Sequence, residues 1–388
     1  MIYLDNNATT LMAPEAFAAM EPYLTSAFGN PSSSHRAGRE ARLAVEEARA
    51  STAELLGAED PGEIVFTSGG TESDNWAIRG ALAARDGGEI IATRVEHEAV
   101  RKLCEELERT GTTVHWIDVD GSGLPDIDQI RDLLNERTAV VSVMMANNET
   151  GAVFPAAEIA ETVKSRSNAL MHVDGVNAAG KVAIDLKGTA IDLFSVSAHK
   201  FHGPKGVGAL YIKKGTALVP FSIGGGQEFG RRAGTEAVHQ IVGMGAAAKL
   251  VSDLAPMERV RELRQKLEAE ILSELPETHL NGPSEEALRL PNTANISFAN
   301  TNGEALMAML DEAGICVSTG SACNSESHKA SAVLEAMNVP YERAMGAIRF
   351  SLSRYNTDDE IELAVRAVIE SAGKLRGVSG GRPFDAVS

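Results

Sequence analysis

Three side chains with reactive chemistry follow apolar runs of the sequence, each at the point where the run ends. Lys200 closes "SVSAHK", Asp174 closes "MHVD", and His97 follows "IIATRVE". A lysine desolvated in a crevice loses its charge readily and becomes an amine nucleophile that forms Schiff bases. A buried carboxylate needs a partner, which is either a helix cap, a salt bridge or a protonated heterocyclic nitrogen. These residue types favour chemistry between an amine, a carbonyl compound and a nitrogen heterocycle.

A phosphate site is predicted beside them. The segment "FTSGGTESDN" places Gly70 and Thr71 where a strand gives way to a helix, and a helix N-terminus with small residues binds anions. Ser197 and His199 stand next to Lys200 and are further candidates for phosphate contacts. The Gly-Gly-Thr run taken alone is also typical of a tight turn with a good helix cap. The sequence contains no Walker segment, which disfavours a nucleotide.

Together these residues point to pyridoxal phosphate. This cofactor needs a lysine for its aldehyde, an acid for its ring nitrogen, a phosphate site and a flat group over its ring. His97 is the candidate for the last role. His199 and His202 lack further ligands at a spacing that suits zinc, so we predict no metal site.

A cysteine in an unusual setting is the next candidate. Cys323 lies in "STGSACNSESHKAS", among small and polar residues, whereas a structural cysteine usually packs among apolar side chains. We expect Cys104, in an amphipathic helical pattern, and Cys316, in apolar "AGICVST", to be buried packing residues. Three scattered cysteines do not suggest a disulfide framework and indicate a reducing compartment.

The elements that must position these residues follow an α/β pattern. Between residues 60 and 215, short apolar runs alternate with amphipathic helical segments, which predicts a mostly parallel, doubly wound sheet covered on both faces. Ligands of such sheets bind beyond the carboxyl ends of the strands, where the candidate residues stand. The last third of the sequence reads as a smaller α/β domain.

Composition excludes several function classes. The net charge of −18 over 388 residues argues against a general binder of nucleic acid or of anionic membranes, since both require a basic surface. The start "MIYLDNNATT" does not resemble a signal peptide, and no apolar run approaches the length of a membrane span. We therefore expect a cytoplasmic protein.

The chain resembles the NifS/IscS-type cysteine desulfurases, the first group of such enzymes in the class-V aminotransferase family. The resemblance runs from residue 2 to about residue 378 and is carried by these segments: "YLDNNATT", "FGNPSS", "EIVFTSGGTESDN", "ANNETG", "SAHKFHGPKGVGALYI", "GRRAGTE", "LPNTANISF", "STGSAC" and "IRFSLSRYNT". It implies fold-type I architecture, with a mostly parallel seven-stranded sheet in a large domain and a smaller C-terminal α/β domain. It further implies a homodimer whose active sites share residues across the interface.

The expected domains follow from this resemblance. Residues 1–20 form an N-terminal segment that packs on the small domain. Residues 21–255 form the large domain that binds pyridoxal phosphate. Residues 256–388 form the small domain, which carries the loop with the catalytic cysteine.

The resemblance also implies a role for each matching residue. Lys200 corresponds to the Schiff-base lysine, Asp174 to the partner of the ring nitrogen, and His97 to the histidine that stacks on the ring and shuttles a proton. The remaining correspondences are Gly70, Thr71, Ser197 and His199 around the phosphate, Thr235 as a phosphate ligand from the other subunit, Asn177 at the phenolic oxygen, Asn148 and Arg349 at cofactor and substrate carboxylate, and Cys323 as the catalytic cysteine. Side-chain chemistry also supports the carboxylate-binding role of Arg349, because a guanidinium binds a carboxylate through two parallel hydrogen bonds.

The implied activity removes sulfur from L-cysteine, giving L-alanine and a persulfide on Cys323. The sulfur then passes to an acceptor protein, such as a scaffold for iron–sulfur cluster assembly, or into thio-modification. Two alternatives remain open from the sequence: a related pyridoxal phosphate lyase acting on selenocysteine or cysteine sulfinate, and a weakly active sulfur carrier or scaffold protein.

The sequence departs from the family pattern at several positions. Asn177 stands where the family usually has glutamine, and Gly175 where it usually has alanine. Ile223 occupies a position that is commonly basic, and "NSESHKAS" after Cys323 carries charges where small, apolar and acidic residues are frequent. We expect these differences to tune activity or the choice of acceptor.

Overall fold

The secondary structure alternates strands and helices along most of the chain. The structure is a computed structural model, and it describes residues 1–319 and 330–379. The helices of this part are α1 Pro14–Thr25, α2 Arg36–Leu56, α3 Gly70–Ala83, α4 Glu98–Arg109, α5 Ile127–Leu133, α6 Ala156–Arg166, α7 Val238–Val251, α8 Pro256–Glu274, α9 Gly303–Glu312, α10 Ala332–Ala336, α11 Tyr341–Ala344 and α12 Asp358–Ser379. Its strands are β1 Ile2–Tyr3, β2 Ile64–Thr67, β3 Glu89–Thr93, β4 Thr113–Ile117, β5 Thr138–Met144, β6 Leu170–Asp174, β7 Leu193–Ser197, β8 Gly208–Ile212, β9 Thr278–Asn281, β10 Thr293–Phe298, β11 Ile315–Cys316 and β12 Ala347–Ser351.

The largest sheet has seven strands in the order β2-β8-β7-β6-β5-β3-β4. All neighbouring strands are parallel except β8, which runs antiparallel to both β2 and β7. Alternate residues of β5 pack into different apolar clusters, Val140 into one and Val141 and Val143 into another. Because successive side chains of a strand point to opposite faces, both faces of this sheet are covered. The predicted fold class, a mostly parallel seven-stranded α/β sheet, is confirmed.

A second apolar cluster lies mostly in the last third of the chain. It combines one face of α8, inner residues of β10 and β12, and one face of α12, together with Leu4. The strands β12, β10 and β9 form an antiparallel sheet in that order, and β1 pairs in parallel with β11. This grouping supports a division of the chain near residue 255. The domain boundaries stay a prediction, since Val333 and Leu334 pack on the cluster of the large sheet.

The N-terminal segment joins the two parts of the molecule. The backbone N–H of Asn6 donates to the carbonyl of Ser351 in β12 at 3.0 Å, and the Thr10 N–H donates to the carbonyl of His199 at 2.9 Å. Residues 5–9 are therefore fixed between β12 and the end of β7. The sequence predicted contact with the small domain but not this contact beside Lys200.

Several details differ from the sequence predictions. The pattern of the sequence predicts two long helices over residues 236–254 and 257–275, and the structure places them at Val238–Val251 and Pro256–Glu274, because helix ends are poorly defined by sequence. Cys316 was expected to be buried and is half-buried, since β11 has two residues and lies in a two-stranded sheet. Cys104 is buried in α4 as predicted.

A buried charge network stabilises the second cluster. The Glu268 carboxylate accepts from Arg264 at 3.0 Å and from Arg289, and both arginine side chains are almost fully buried. Breaking a buried ion pair by removing one partner leaves a buried charge without compensation, which typically costs 3–5 kcal/mol. In Glu268→Ala, Arg264 keeps its pair with Glu286 and Arg289 loses its close carboxylate partner. We therefore expect Glu268→Ala to destabilise the protein by about 3 kcal/mol, measured as a lowered urea midpoint.

The matched control for this prediction is Glu262→Ala on the same helix. The Glu262 side chain is 57% exposed and pairs with the exposed Arg259, so its removal should cost under about 1 kcal/mol. Equal midpoints for the two variants would contradict the role given to Glu268.

Candidate active site

One cavity of about 610 Å³ lies at the carboxyl ends of the central strands. Asp174 is the last residue of β6, Ser197 is the last residue of β7, and α3 begins just after β2. Ten of the predicted site residues line the cavity: Gly70, Thr71, His97, Asn148, Asp174, Asn177, Ser197, His199, Lys200 and Arg349. Its volume is typical of small-molecule and cofactor sites.

Asp174 and His97 form the acid and the imidazole of the cavity. The Asp174 carboxylate is 6% exposed and accepts from the Val176 backbone N–H at 2.9 Å. Burial, helped by the nearby Asp74 carboxylate, raises the pKa of Asp174 to about 6. Nδ1 of His97 accepts from the Ala99 backbone N–H at 3.1 Å and caps α4. Burial lowers the pKa of His97, while the Asp174 charge opposes this effect. A neutral His97 ring therefore carries its proton on Nε2.

Lys200 reaches the N-terminal segment. It ends the short 3₁₀ helix that follows β7, and its Nζ donates to the carbonyls of Asn7 at 2.5 Å and Ala8 at 3.1 Å. The neighbouring His199 ring lies 3.2 Å from the Thr9 hydroxyl. Burial lowers the pKa of His199 to about 4, and the Lys200 charge contributes less to this shift. The ring is thus neutral at pH 7.

The start of α3 has the features of an anion site. Gly69 has a φ of 152°, which favours glycine, and a Cβ on Gly70 would come within 2.7 Å of Val176. The first N–H groups of a helix have no intrahelical acceptor and carry the positive end of its dipole. The N–H groups of Gly70 and Thr71 at this end, with the Ser197 hydroxyl beside them, suit a phosphate.

Arg349 is buried, and its guanidinium group is not fully hydrogen-bonded. It is 3% exposed in β12, and it donates to Asp5 at 2.7 Å and to the Asn148 carbonyl at 3.1 Å. Its Nε is buried and has no hydrogen-bond partner among the described residues. A buried donor without an acceptor is costly, so an incoming carboxylate would satisfy groups that the protein itself leaves incompletely paired.

Comparison with known proteins places this arrangement in a family. Residues 2–363 match the family described as aminotransferase class-V. The chain belongs to the class-V aminotransferase family. The cysteine desulfurase of Cereibacter sphaeroides is 51% identical over 387 residues, which cover 99% of this chain and 98% of that protein.

Two solved structures are also similar to this chain. One, described as a NifS-like protein, has a TM-score of 0.88 and 37% identity, covering 95% of this chain and 98% of its own. The other, described as SspA in complex with cysteine, has a TM-score of 0.81 and 33% identity, covering 92% of this chain and all of its own. The resemblance read from the sequence is confirmed.

Enzymes of this family use pyridoxal phosphate, and the described residues fit that group. The groups whose charges act on the buried Asp174 carboxylate include Asp74, Glu96, His97 and His172. A protonated ring nitrogen would supply the full positive charge that this set lacks. The anion site at α3 and the amine of Lys200 line the same cavity, as the phosphate and the aldehyde of the cofactor require.

One described residue of the predicted site does not line the cavity. Thr235 is exposed and lies outside it, consistent with an expected role toward a second subunit. The predicted catalytic Cys323 lies outside the described residues. No group of three or more His, Cys, Asp or Glu side chains among the described residues is arranged to hold a metal ion. The helices of the described residues are too short or too polar to cross a membrane.

The cavity also contains acids that sequence reasoning missed. Asp74, Glu96 and Glu149 line it although each is buried. Burial raises the pKa of Asp74 and of Glu149 to about 7, and that of Glu96 well above its usual value. Each stands within four residues of a predicted site residue, in "GGTESDN", "VEHE" and "NNET". Proximity to a motif was the one signal that could have found them.

Proposed function

We propose that the protein is a pyridoxal phosphate-dependent cysteine desulfurase that converts L-cysteine to L-alanine and passes the sulfur on through Cys323. The observation that carries the proposal is the cavity, which brings together ten residues predicted from separate segments of the chain. A full-length relative named cysteine desulfurase, at 51% identity, supports the same reaction.

The cofactor, when bound, would withdraw electrons from the substrate α carbon. Asp174 would hold its ring nitrogen protonated, and the α3 N-terminus with Ser197 and His199 would hold its phosphate. His97 is placed to lie against the ring, and Asn177 is placed to contact the ring oxygen. These assignments rest on side chains that line one cavity.

The chain's own groups move the protons. Lys200 would hold the aldehyde before substrate enters and then take the proton from the α carbon as a general base. Arg349, held by Asp5 and by the Asn148 carbonyl, would bind the substrate carboxylate. The family resemblance assigns the shuttling of the thiol proton to His97, whose neutral ring holds a proton on Nε2 while Nδ1 accepts from the Ala99 N–H.

Cys323 would supply the nucleophile. Its thiolate attacks the substrate sulfur, so the Cβ–S bond of cysteine breaks and an S–S bond to Cys323 forms. Protonation of the remaining carbon skeleton gives alanine. The sulfur would then pass to a thiol of an acceptor protein, such as an iron–sulfur scaffold. A reducing cytoplasmic location belongs to the same proposal and rests on the sparse cysteines of the sequence.

A homodimer is part of the proposal. Ser222 pairs with Arg232, which brings the exposed Phe221 and Ile223 close to the loop of Thr235. Exposed apolar side chains on one surface are typical of protein interfaces. A second copy covering this surface would place Thr235 near a neighbouring cavity, as the family resemblance implies.

Mass spectrometry after incubation with L-cysteine tests the function. We expect one added sulfur on Cys323 and stoichiometric alanine, whereas Cys323→Ala should retain bound cofactor and lose both products. Cys104→Ala is the matched control, because this thiol is buried in α4. Full activity of Cys323→Ala would overturn the role of that cysteine. Alanine release from selenocysteine but not from L-cysteine would favour the alternative lyase, and cofactor-free inactive protein would favour the carrier function.

A further inference from the structure

Lys181 is a buried lysine directly behind the cavity wall. We infer that Lys181 is a positioning residue that fixes the side-chain amide of Asn177 with its N–H₂ group toward the cofactor. This inference rests on the proposed function, because it concerns the cofactor of the same site. It gives a role to a residue outside the cavity lining and a physical account of the shorter side chain at position 177.

The contacts between the two residues are short. Nζ of Lys181 lies 2.8 Å from Oδ1 of Asn177 and 2.9 Å from its backbone carbonyl oxygen. The two residues stand four apart in a helical turn after β6, in which the Lys181 N–H donates to the Ala178 carbonyl. Lys181 is 8% exposed and Asn177 is 5% exposed, so these hydrogen bonds are largely shielded from solvent.

The chemistry of the pair determines which way the amide faces. Oδ1 is the side-chain atom of Asn177 that faces Nζ, and the N–H groups of the lysine donate to it and to the Asn177 backbone carbonyl. The Nδ2 group then lies on the opposite side, where its described contact is a long one, 3.4 Å to the Asn147 carbonyl. Because Asn177 lines the cavity, Nδ2 is left to donate to an acceptor oxygen inside it, such as the ring oxygen of the cofactor.

The surroundings of Lys181 argue against a role in pairing charges. The positive charges of Lys200 and Arg349 add to burial in lowering the pKa of Lys181 well below its usual value, and the rings of His199 and His202 also lie near enough to interact with its charge. A buried amine near other cations is costly, and its two short contacts both go to Asn177. Asparagine is one methylene shorter than the glutamine expected here, so its amide needs a fixed orientation to reach the ring oxygen.

A double-mutant cycle tests the inference, with the equilibrium dissociation constant of pyridoxal phosphate from the full-length protein as readout. Loss of one buried hydrogen bond is worth about 1.4 kcal/mol, or tenfold in affinity. We expect Lys181→Met and Asn177→Ala each to weaken binding about tenfold. The double variant should bind no more weakly than Asn177→Ala, since Lys181 acts through Asn177.

Two further variants sharpen the test. Lys181→Gln keeps an N–H donor without the charge and should recover most of the affinity, which also guards against misfolding of Lys181→Met. Lys187→Met removes an exposed lysine six residues away and should leave binding unchanged. The pH midpoint of the cofactor's visible absorbance, which a donor at the ring oxygen lowers, should rise in Lys181→Met and return in Lys181→Gln.

Two results would overturn the inference, and a third would overturn the proposed function on which it rests. Lys181→Met binding within twofold of the wild type would remove the role of Lys181. A further tenfold loss when Lys181→Met is added to Asn177→Ala would show that Lys181 acts without Asn177. Failure of the wild-type protein to bind pyridoxal phosphate would overturn the proposed function itself, which separates the two failures.

Discussion

Lys200→Ala is expected to slow alanine release from L-cysteine by about a hundred- to ten-thousandfold, the contribution typical of a general base. The amine stands at the end of β7, lines the cavity and lies 2.5 Å from the Asn7 carbonyl. No second lysine lines the cavity among the described residues, so no neighbouring amine is placed to replace it. The measurement is the initial rate of alanine formation with saturating pyridoxal phosphate.

The control for this prediction is Lys205→Ala. Lys205 is exposed five residues further along the same connection, and its removal should leave the rate unchanged. Lys200→Ala also removes the hydrogen bonds to the carbonyls of Asn7 and Ala8, so the melting temperature should be measured for both variants. If Lys200→Ala keeps more than a tenth of the wild-type rate while folded, the base is another group.

The position of Lys200 was predictable because parallel strands end at a common edge of a sheet. Apolar runs of the sequence identified β6 and β7, and Asp174 and Lys200 follow those runs directly. The roles of Asn148, Asn177 and Arg349 came from resemblance to a family, and the structure brings all three to the same cavity.

The remaining parts of the site depend on contacts between distant segments. Asp5 pairs with Arg349 across 344 positions of the sequence, and no periodicity or local motif encodes such a pair. Lys181 follows no strand directly, and its role depends on the turn that brings it back to Asn177. Burial of Asp74 and Glu96 follows from packing around α3 and β3, which composition alone does not reveal.

The buried carboxyl groups of the cavity destabilise the folded protein. Asp74, Asp174 and Glu96 are all at least nine-tenths buried, and burial raises the pKa of each. His172, fully buried between the hydroxyls of Ser142 and Ser195 at 2.8 and 2.9 Å, has its pKa lowered by burial to about 4 and is neutral at pH 7. This neighbourhood therefore offers Asp174 little positive charge at pH 7. Functional sites commonly retain such unfavourable groups because the ligand compensates them.

Asp174→Asn should therefore separate activity from stability. An ionised carboxylate aimed at a positive ring nitrogen provides electrostatic stabilisation worth about a hundred- to a thousandfold in rate. We expect alanine release from L-cysteine to fall by that factor. Asp128→Asn, an exposed substitution on α5, is the control and should leave the rate unchanged.

Asp174→Asn, which lowers activity, should raise the melting temperature of the cofactor-free protein. The pKa of Asp174 is about 6 in the folded protein and about 3.9 in an unfolded chain. Because the folded state binds this proton more tightly, the stability linked to it is fully present below about pH 3.9 and is lost as the pH rises through about 6. Asparagine has no proton to lose, so cofactor-free Asp174→Asn should melt at a higher temperature than the cofactor-free wild type at pH 7.5. The difference should shrink as the pH is lowered toward 4. A variant that melts lower than the wild type at pH 7.5 would mean that the Asp174 charge stabilises the fold itself, whereas lost activity with gained stability assigns that charge to the cofactor.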